Sequence, residues 1–375
     1  MSKTLSRRKF IRLMGNVVIG SGVLCVPAFG KQTVDTVGAA SKIRNFNSDM
    51  AYRRVGETDV NVSVFSLGTG DNNEEILNKG IQMGINLIHT STGYAKGKSI
   101  KAVANAIKGR RESVHIALKD NFESIESALE ILGTGYVDFI MFNRHNAKEF
   151  HKEIPEIRTK FFEWRDRGLV RYAGVTTHKQ VEGCLDVALE AGFFSCVMPS
   201  LSPLQFTEFK KQRNALKEKK ISIIAMKTKG ELNSEEYGKQ LEVVLSDPAV
   251  CTINKGVQSF EDLENWTSTA TLAGAGFLLR KVDENYAHLD SYSGCNLCGK
   301  CEEACPNNVV TSDVVRCIRY YHDAESSPKR AALEFRDLGC KQSLSNCKMC
   351  GRCEKACPQS IPVRKELRRA WSLLV

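Results

Sequence analysis

The sequence predicts a (β/α)8 barrel followed by a small, cysteine-rich helical module, and three observations carry that reading. Short apolar strands and amphipathic helices alternate eight times between Val64 and Ala273. A cysteine run, C-x2-C-x2-C-x3-C-P, occurs twice near the tail, from Cys295 to Pro306 and from Cys347 to Pro358. The turn Gly68-x-Gly70 lacks the third glycine of a dinucleotide fingerprint, which sets the runner-up, a doubly wound sheet, below the barrel.

In chain order, residues 1–30 stand apart as a targeting segment. Ser6-Arg7-Arg8-Lys9-Phe10-Ile11-Arg12 resembles a twin-arginine export signal, which implies a periplasmic or cell-envelope location and passage of the folded protein. The apolar run Leu13 to Val26 is too short to span a bilayer comfortably, so no transmembrane span is expected once the signal is removed. Ala28-Phe29-Gly30 offers the small residues a signal peptidase reads, and Cys25 reads as apolar filler. The formal net charge of +10 over 375 residues owes much to Lys3, Arg7, Arg8, Lys9 and Arg12. With those set aside the chain is mildly basic, and no basic stripe interleaved with aromatics marks it as a nucleic-acid binder.

Residues 31–50 are rich in small and polar types and read as a linker. The barrel region is 51–276. It opens with a hairpin in which Tyr52–Gly56 and Val60–Val64 alternate around a Glu57-Thr58 turn. Strands follow at Val64–Thr69, Leu87–Ser91, Val114–Lys119, Val137–Asn143, Val170–Thr177, Ser195–Ser200, Ile221–Lys229 and Val250–Lys255. Helical spacing marks Glu74–Met83, Ser99–Lys108, Ser124–Leu132, Val181–Ala191, Phe206–Lys217, Glu235–Leu245 and Phe260–Ala273.

A helical connector, 277–290, leads into the tail module, 291–375. Its cysteine spacing suits [4Fe–4S] clusters: three close thiolates wrap one cubane, and the fourth, stiffened by proline, reaches across to the other. Cys295, Cys298, Cys301 and Cys357 then hold one cluster, and Cys347, Cys350, Cys353 and Cys305 the second. Zinc sites favour paired C-x2-C units across a long gap, and a disulfide framework suits a short secreted domain, so both fit the repeat less well. The spacer carries Val314, Cys317, Ile318 and Tyr321, then Ala331, Leu333, Phe335 and Leu338, which reads as two helices around Ser327-Pro328. It resembles the α-helical type of two-cluster ferredoxin. Cys317 reads as core on a helix face; Cys340 is left unassigned.

The barrel is similar to the aldo/keto reductase family from about Tyr52 to Ala273. The resemblance rests on Tyr52-Arg53-Arg54-Val55-Gly56-Glu57-Thr58, Gly84-Ile85-Asn86-Leu87-Ile88-His89-Thr90, Tyr94, Ile116-Ala117-Leu118-Lys119, Tyr136-Val137-Asp138 and Ile224-Ala225-Met226-Lys227. It implies carbonyl reduction by a Tyr, Lys, Asp and His tetrad, in which a tyrosine hydroxyl protonates the oxygen as hydride arrives. Tyr94 matches the proton donor and Lys119 the ammonium that supports it. His89 stands at the aspartate position, and the histidine position falls on Asn143, with His145 two residues on and of the same strand parity. As an imidazole, His89 is expected to titrate near neutrality.

The resemblance also implies a nicotinamide nucleotide, NAD(P), whose contacts are thinned here. Thr176 and Thr177 replace a Ser-Asn pair, Met198 an amide and Met226 a stacking aromatic, while Lys255, Gly256, Ser259 and Asn265 remain of the phosphate and adenine side. The expectation is therefore an exported iron–sulfur oxidoreductase acting on a small carbonyl- or hydroxyl-bearing organic substrate, with a redox partner protein or membrane electron carrier. The alternative is an electron-transfer or docking subunit with a degenerate barrel.

Overall fold

The computed structural model describes residues 42–70, 74–229, 234–257, 259–267, 294–322 and 328–375. The signal (1–30), the connector (277–290) and the end of the Phe260–Ala273 helix lie outside the described residues, as does most of the linker. Ser41–Val375 forms one compact unit.

A hairpin of β1 (Tyr52–Arg54) and β2 (Asn61–Ser63) precedes eight parallel strands. These are β3 (Phe65–Gly68), β4 (Leu87–Thr90), β5 (His115–Lys119), β6 (Val137–Asn143), β7 (Val170–Thr177), β8 (Cys196–Pro199), β9 (Ser222–Met226) and β10 (Val250–Gly256). They pair in sequence order, and β10 pairs back onto β3, closing the barrel. Their near-continuous apolar character follows from burial on both faces. Ile88, Ile116, Ile140 and Val175 meet the surrounding helices. The alternate side chains, Leu87, Ala117, Phe139, Met141 and Ile224, fill the interior. Val55, Val60 and Val62 pack on that inner set, so the hairpin plugs the barrel's N-terminal end.

The helices of this layer are α1 (Glu74–Gln82), α2 (Lys98–Ile107), α3 (Ile125–Leu132), α4 (Ala147–Asp166), α5 (Val181–Ala191), α6 (Pro203–Glu208), α7 (Lys210–Glu218) and α8 (Ser234–Ser246). Residues 260–267 are also helical. Ser124 caps α3, accepting from the Ser127 N–H at 3.1 Å. The sequence pattern hides α4, because Pro155 lies inside it and only Phe150, Ile157 and Phe161 are buried. The single helix expected at Phe206–Lys217 is two, α6 and α7, parted at Phe209.

Residues 42–50, expected as linker, are anchored to the barrel. Arg44 donates to the Val114 carbonyl at 2.9 Å, Asn45 to the Ile81 carbonyl at 2.6 Å, and Met50 is buried.

The tail module consists of α9 (Lys300–Glu303), α10 (Thr311–His322), α11 (Pro328–Asp337), α12 (Cys340–Ser345), α13 (Arg352–Lys355) and α14 (Val363–Leu374). The two spacer helices appear where expected, as α10 and α11; α9, α12, α13 and α14 are additional. Val314, Cys317, Ile318, Phe335, Cys340 and Leu367 share one core, so both non-motif cysteines are buried filler. The sequence repeat is also a backbone repeat. Leu297 and Met349, Gly299 and Gly351, and Asn308 and Ser360 all adopt positive φ at matching places. Among the described residues no helix is long and apolar enough to cross a membrane.

Candidate functional site

The strand period of two builds the barrel mouth. Leu87, Ala117, Met141 and Ile224 point inward, so His89, Lys119, Asn143 and Met226 share their parity and end the inward rows. Thr176 is the register partner of Asn143 and joins that ring, with Met198 beside it in turn. Thr177 has the opposite parity, and its hydroxyl donates to the Lys179 carbonyl at 2.9 Å. The expected threonine pair is thus split: Thr176 faces the mouth and Thr177 shapes the loop.

Tyr94 sits just after β4 in a tight turn whose next residues, Ala95 and Lys96, hold φ of 49° and 55°. Such left-handed non-glycine residues carry strain of about 1–3 kcal/mol each. The turn sets the Tyr94 ring edge-on to His89, centroids 6.0 Å apart. The Lys119 ammonium lies 5.4 Å from the centre of the same ring. Tyr94, His89 and Lys119 therefore meet as a cluster.

Three buried polar atoms of this ring, His89 Nε2, Asn143 Oδ1 and Thr176 Oγ1, have no hydrogen-bond partner among the described residues. An unsatisfied buried polar atom costs about 1–3 kcal/mol, so the mouth is organised for a polar guest.

His145 lies near the same mouth. Its Nδ1 accepts from the backbone N–H of His178 at 3.1 Å, and the two rings are 5.4 Å apart. An accepting Nδ1 puts the proton of neutral His145 on Nε2. His178 Nδ1 in turn lies 3.3 Å from the Ser200 hydroxyl. His178 was missed in the sequence, although it follows Thr176 at the parity that led from Asn143 to His145.

Burial, reinforced by the Lys119 charge, lowers the His89 pKa to about 3. Burial with Lys119 and Arg316 does the same to His145, again to about 3. His178 is pushed well down by burial, Arg316 and Lys119. Contrary to expectation, His89 does not titrate near neutrality; all three imidazoles are neutral there.

Several of the residues expected to hold a dinucleotide have contacts within the protein. Lys255 points outward into an aromatic box, 3.4 Å from the Trp266 ring centre and 5.0 Å from that of Tyr237. Burial lowers its pKa to about 7. Ser259 accepts from the Asp262 N–H at 3.0 Å, capping the following helical turn, and Asn265 is exposed. Gly256 faces a side chain of the tail module. A Cβ built on it would lie 3.5 Å from the Arg330 guanidinium, and one on Gly70 3.1 Å.

In the tail, the eight motif cysteines separate into two sets around two cavities. Cys295, Cys298, Cys301 and Cys357 line one. Cys305, Cys347, Cys350 and Cys353 line the other. This is the crossed arrangement expected from the spacing. Four thiolates around each space are the donor set of a [4Fe–4S] cubane, so the residues fit that cofactor.

The first cavity is docked on the barrel's C-terminal face. The Gln180 N–H donates to the carbonyl of Leu297, between Cys295 and Cys298, at 3.1 Å. Gln205 Nε2 donates to the Asn296 carbonyl at 3.1 Å, and Glu208 accepts from Asn296 at 3.0 Å and from Gln359 at 2.9 Å. Here the break into α6 and α7 has a use, since α6 carries Gln205 and Glu208. Lys179 bridges Asp313 at 2.7 Å and Glu302 at 3.2 Å. Further round, Lys227 of the barrel and Arg316 of α10 lie 4.2 and 6.0 Å from the ring centre of buried Tyr320. Arg316, Tyr320 and Arg330 carry no sequence signal for this position, because only folding brings α10 and α11 to the mouth.

A closed parallel barrel with a polar mouth, capped by a module with two four-cysteine cavities, defines a barrel protein with an iron–sulfur module. Residues 69–240 match the aldo/keto reductase family and residues 294–370 match a 4Fe-4S dicluster domain, so the chain carries a domain of each kind. The uncharacterized oxidoreductase YqkF of Bacillus subtilis is 26% identical over 153 residues, 34% of this chain and 49% of that protein. The chain thus spans about half the length of that curated relative. Among solved structures, the holo form of aldo-keto reductase AKR11C1 from Bacillus halodurans is similar with a TM-score of 0.53 at 17% identity, over 64% of this chain and 96% of that one. The thermostable aldo-keto reductase Tm1743, solved with the inhibitor epalrestat, gives 0.53 at 22%, over 64% and 99%. At these identities the structural likeness establishes the fold.

Proposed function

We propose that the protein is an exported iron–sulfur oxidoreductase that interconverts a carbonyl and an alcohol on a small organic substrate at the barrel mouth. The observation that carries this reading is the joining of two sites. The cluster of Tyr94, His89 and Lys119 opens on the face where the Gln180 N–H holds the loop of the first cysteine cavity.

Reducing a carbonyl to an alcohol consumes two electrons and two protons. The clusters, when bound, supply one-electron transfer. The chain's own residues bind and protonate. The Tyr94 hydroxyl delivers a proton to the substrate oxygen, and Lys119 beside its ring stabilises the phenolate left behind. Neutral His89, through Nε2, and the Thr176 hydroxyl hydrogen-bond the oxygen and orient it. The Lys119 ammonium then returns a proton to Tyr94 and so supplies the second one, while neutral His145, with its proton on Nε2, donates a hydrogen bond to the substrate. Asn143 Oδ1 accepts from a hydroxyl of the substrate.

Bound NAD(P) is not needed in this scheme. The outward turn of Lys255, the capping role of Ser259 and the approach of Arg330 to Gly70 and Gly256 all favour working without it. The twin-arginine-like Ser6–Arg12 segment supports export of the folded, cluster-loaded protein to the periplasm or cell envelope, which cell fractionation tests.

The test is redox turnover of anaerobically purified, cluster-loaded protein with a carbonyl panel and a dye donor. Tyr94→Phe and His89→Ala should each remove most of it with cluster absorbance intact. Unchanged turnover in both sinks the proposal. A second reading, a docking subunit with an inactive barrel, draws on His89 standing in place of the supporting carboxylate. It predicts that no organic ligand is extracted from the native protein.

A further inference from the structure

The second cysteine cavity lies on a face that the barrel does not use. Among the described residues no hydrogen bond or ion pair joins residues 347–356 to the barrel, and Cys350 is exposed. Around it the chain is strongly basic. Residues 340–375 hold eight lysines and arginines against two glutamates. Both glutamates are engaged: Glu354 by Arg364 at 2.7 Å and Glu366 by Arg369 at 2.9 Å. Six cations remain with exposed side chains: Lys341, Lys348, Arg352, Lys355, Lys365 and Arg368. Lys348 and Arg352 line the cavity itself.

The helix α14 extends this face. Arg364, which also lines the cavity, shares a stripe with Arg368 and Trp371 at helical spacing. Trp371 is 49% exposed, an uncommon position for a side chain of that size unless something covers it. Aromatic and arginine anchors inside a charged rim are the usual composition of a protein-binding surface.

We propose that this basic face, centred on Cys350 and bordered by Trp371, is the docking surface for an acidic electron-transfer protein. The inference rests on the iron–sulfur reading above and adds to it the kind of partner. Charge complementarity selects the occupant: a ring of like charges around one ligand of the second cavity attracts a partner that shows carboxylates around its own redox centre. An anionic membrane is the weaker match. Interfacial helices insert a broad apolar face, whereas Val363, Leu367 and Ala370 of α14 are buried in the module's own core.

The test uses full-length, cluster-loaded protein without substrate, so its outcome is independent of turnover at the barrel. An acidic plant-type ferredoxin serves as probe, and binding is read by calorimetry at about 50 and about 300 mM salt, a range that shortens the screening length more than twofold. Binding at low salt should weaken at least about tenfold at high salt. The double variant Lys365→Glu/Arg368→Glu, whose side chains line neither cysteine cavity, should weaken it about tenfold, and Trp371→Ala about fivefold, with cluster absorbance unchanged. Absence of ferredoxin binding at low salt, or equal binding by the double variant, overturns the proposal. So does a double variant that loses only its attachment to phosphatidylserine vesicles. Loss of turnover in Tyr94→Phe with ferredoxin binding retained separates the two readings.

Discussion

Lys179 is the charge that fastens the cluster module to the barrel, and replacing it tests whether that docking is real. Its side chain is 15% exposed and that of Asp313 9%, at 2.7 Å. Lys179→Met keeps the stem but leaves two carboxylates without the ammonium. They are not wholly orphaned: Asp313 retains Arg316 at 3.1 Å, and Glu302 retains the Ser312 hydroxyl at 2.6 Å. The cost should therefore fall at about 2–3 kcal/mol, below the 3–5 of a fully stranded buried charge. That is about a 30- to 150-fold rise in the equilibrium for opening the interface. Burial alone would lower the Lys179 pKa, but Asp313 and Glu302 together raise it. The contact therefore holds through neutral pH and is lost only as pH climbs beyond the ordinary lysine value of about 10.4. Native-state amide exchange reads the opening directly, because the Gln180 N–H is bonded across the interface. It should exchange about 30- to 150-fold faster in the variant, while amides of α1 stay unchanged. A change below about threefold would refute the docking argument.

Three further outcomes follow from the same geometry. His89 and His145 have folded pKa values of about 3 against about 6.5 unfolded, so the unfolded chain takes up protons that the folded one excludes; stability, full above pH 6.5, should fall on acidification by about 2 kcal/mol per histidine by pH 5. Urea midpoints across that range measure it, and His89→Asn should flatten the dependence. Asp138, buried at the barrel base, accepts from Arg111 and Arg171 at 2.9 Å and pairs with His115 at 3.0 Å. Burial would raise its pKa, but His115, Arg111 and the Ile116 N–H hold it well below the ordinary value. Asp138→Asn should cost about 3–5 kcal/mol in unfolding, and the wild-type contribution should fade as pH falls below about 4. Cys357→Ser should remove the cluster of the first cavity and about half the iron while sparing the other, because Cys357 completes the Cys295 set and not its own run; loss of iron from the second cavity alone would contradict the crossed arrangement.

Asp138 shows how a sequence match and a site can part company. Tyr136-Val137-Asp138 carries the family resemblance, yet the carboxylate lies at the closed end of the barrel with three arginines and a histidine, far along β6 from Asn143. It is a structural group. Lys255 owes its surroundings to the fold as well: a strand residue of outward parity, it reaches the helix layer and lies against Trp266 and Tyr237 there.

The sequence by itself determined what depends on short spacing and strict period. The cysteine runs determined the two sets of four cysteines that line the tail cavities, because the spacing keeps three close and brings the fourth within reach. The alternation of apolar residues determined the eight strands and, through parity, that His89, Lys119 and Asn143 look inward. Only the tertiary structure decided which surfaces meet. The use of the α6–α7 break, the descent of Arg316, Tyr320 and Arg330 onto the mouth, and the neutrality of His89 depend on contacts between segments well separated in the chain. Burial and charge at such contacts come from the whole fold, and no local pattern encodes them.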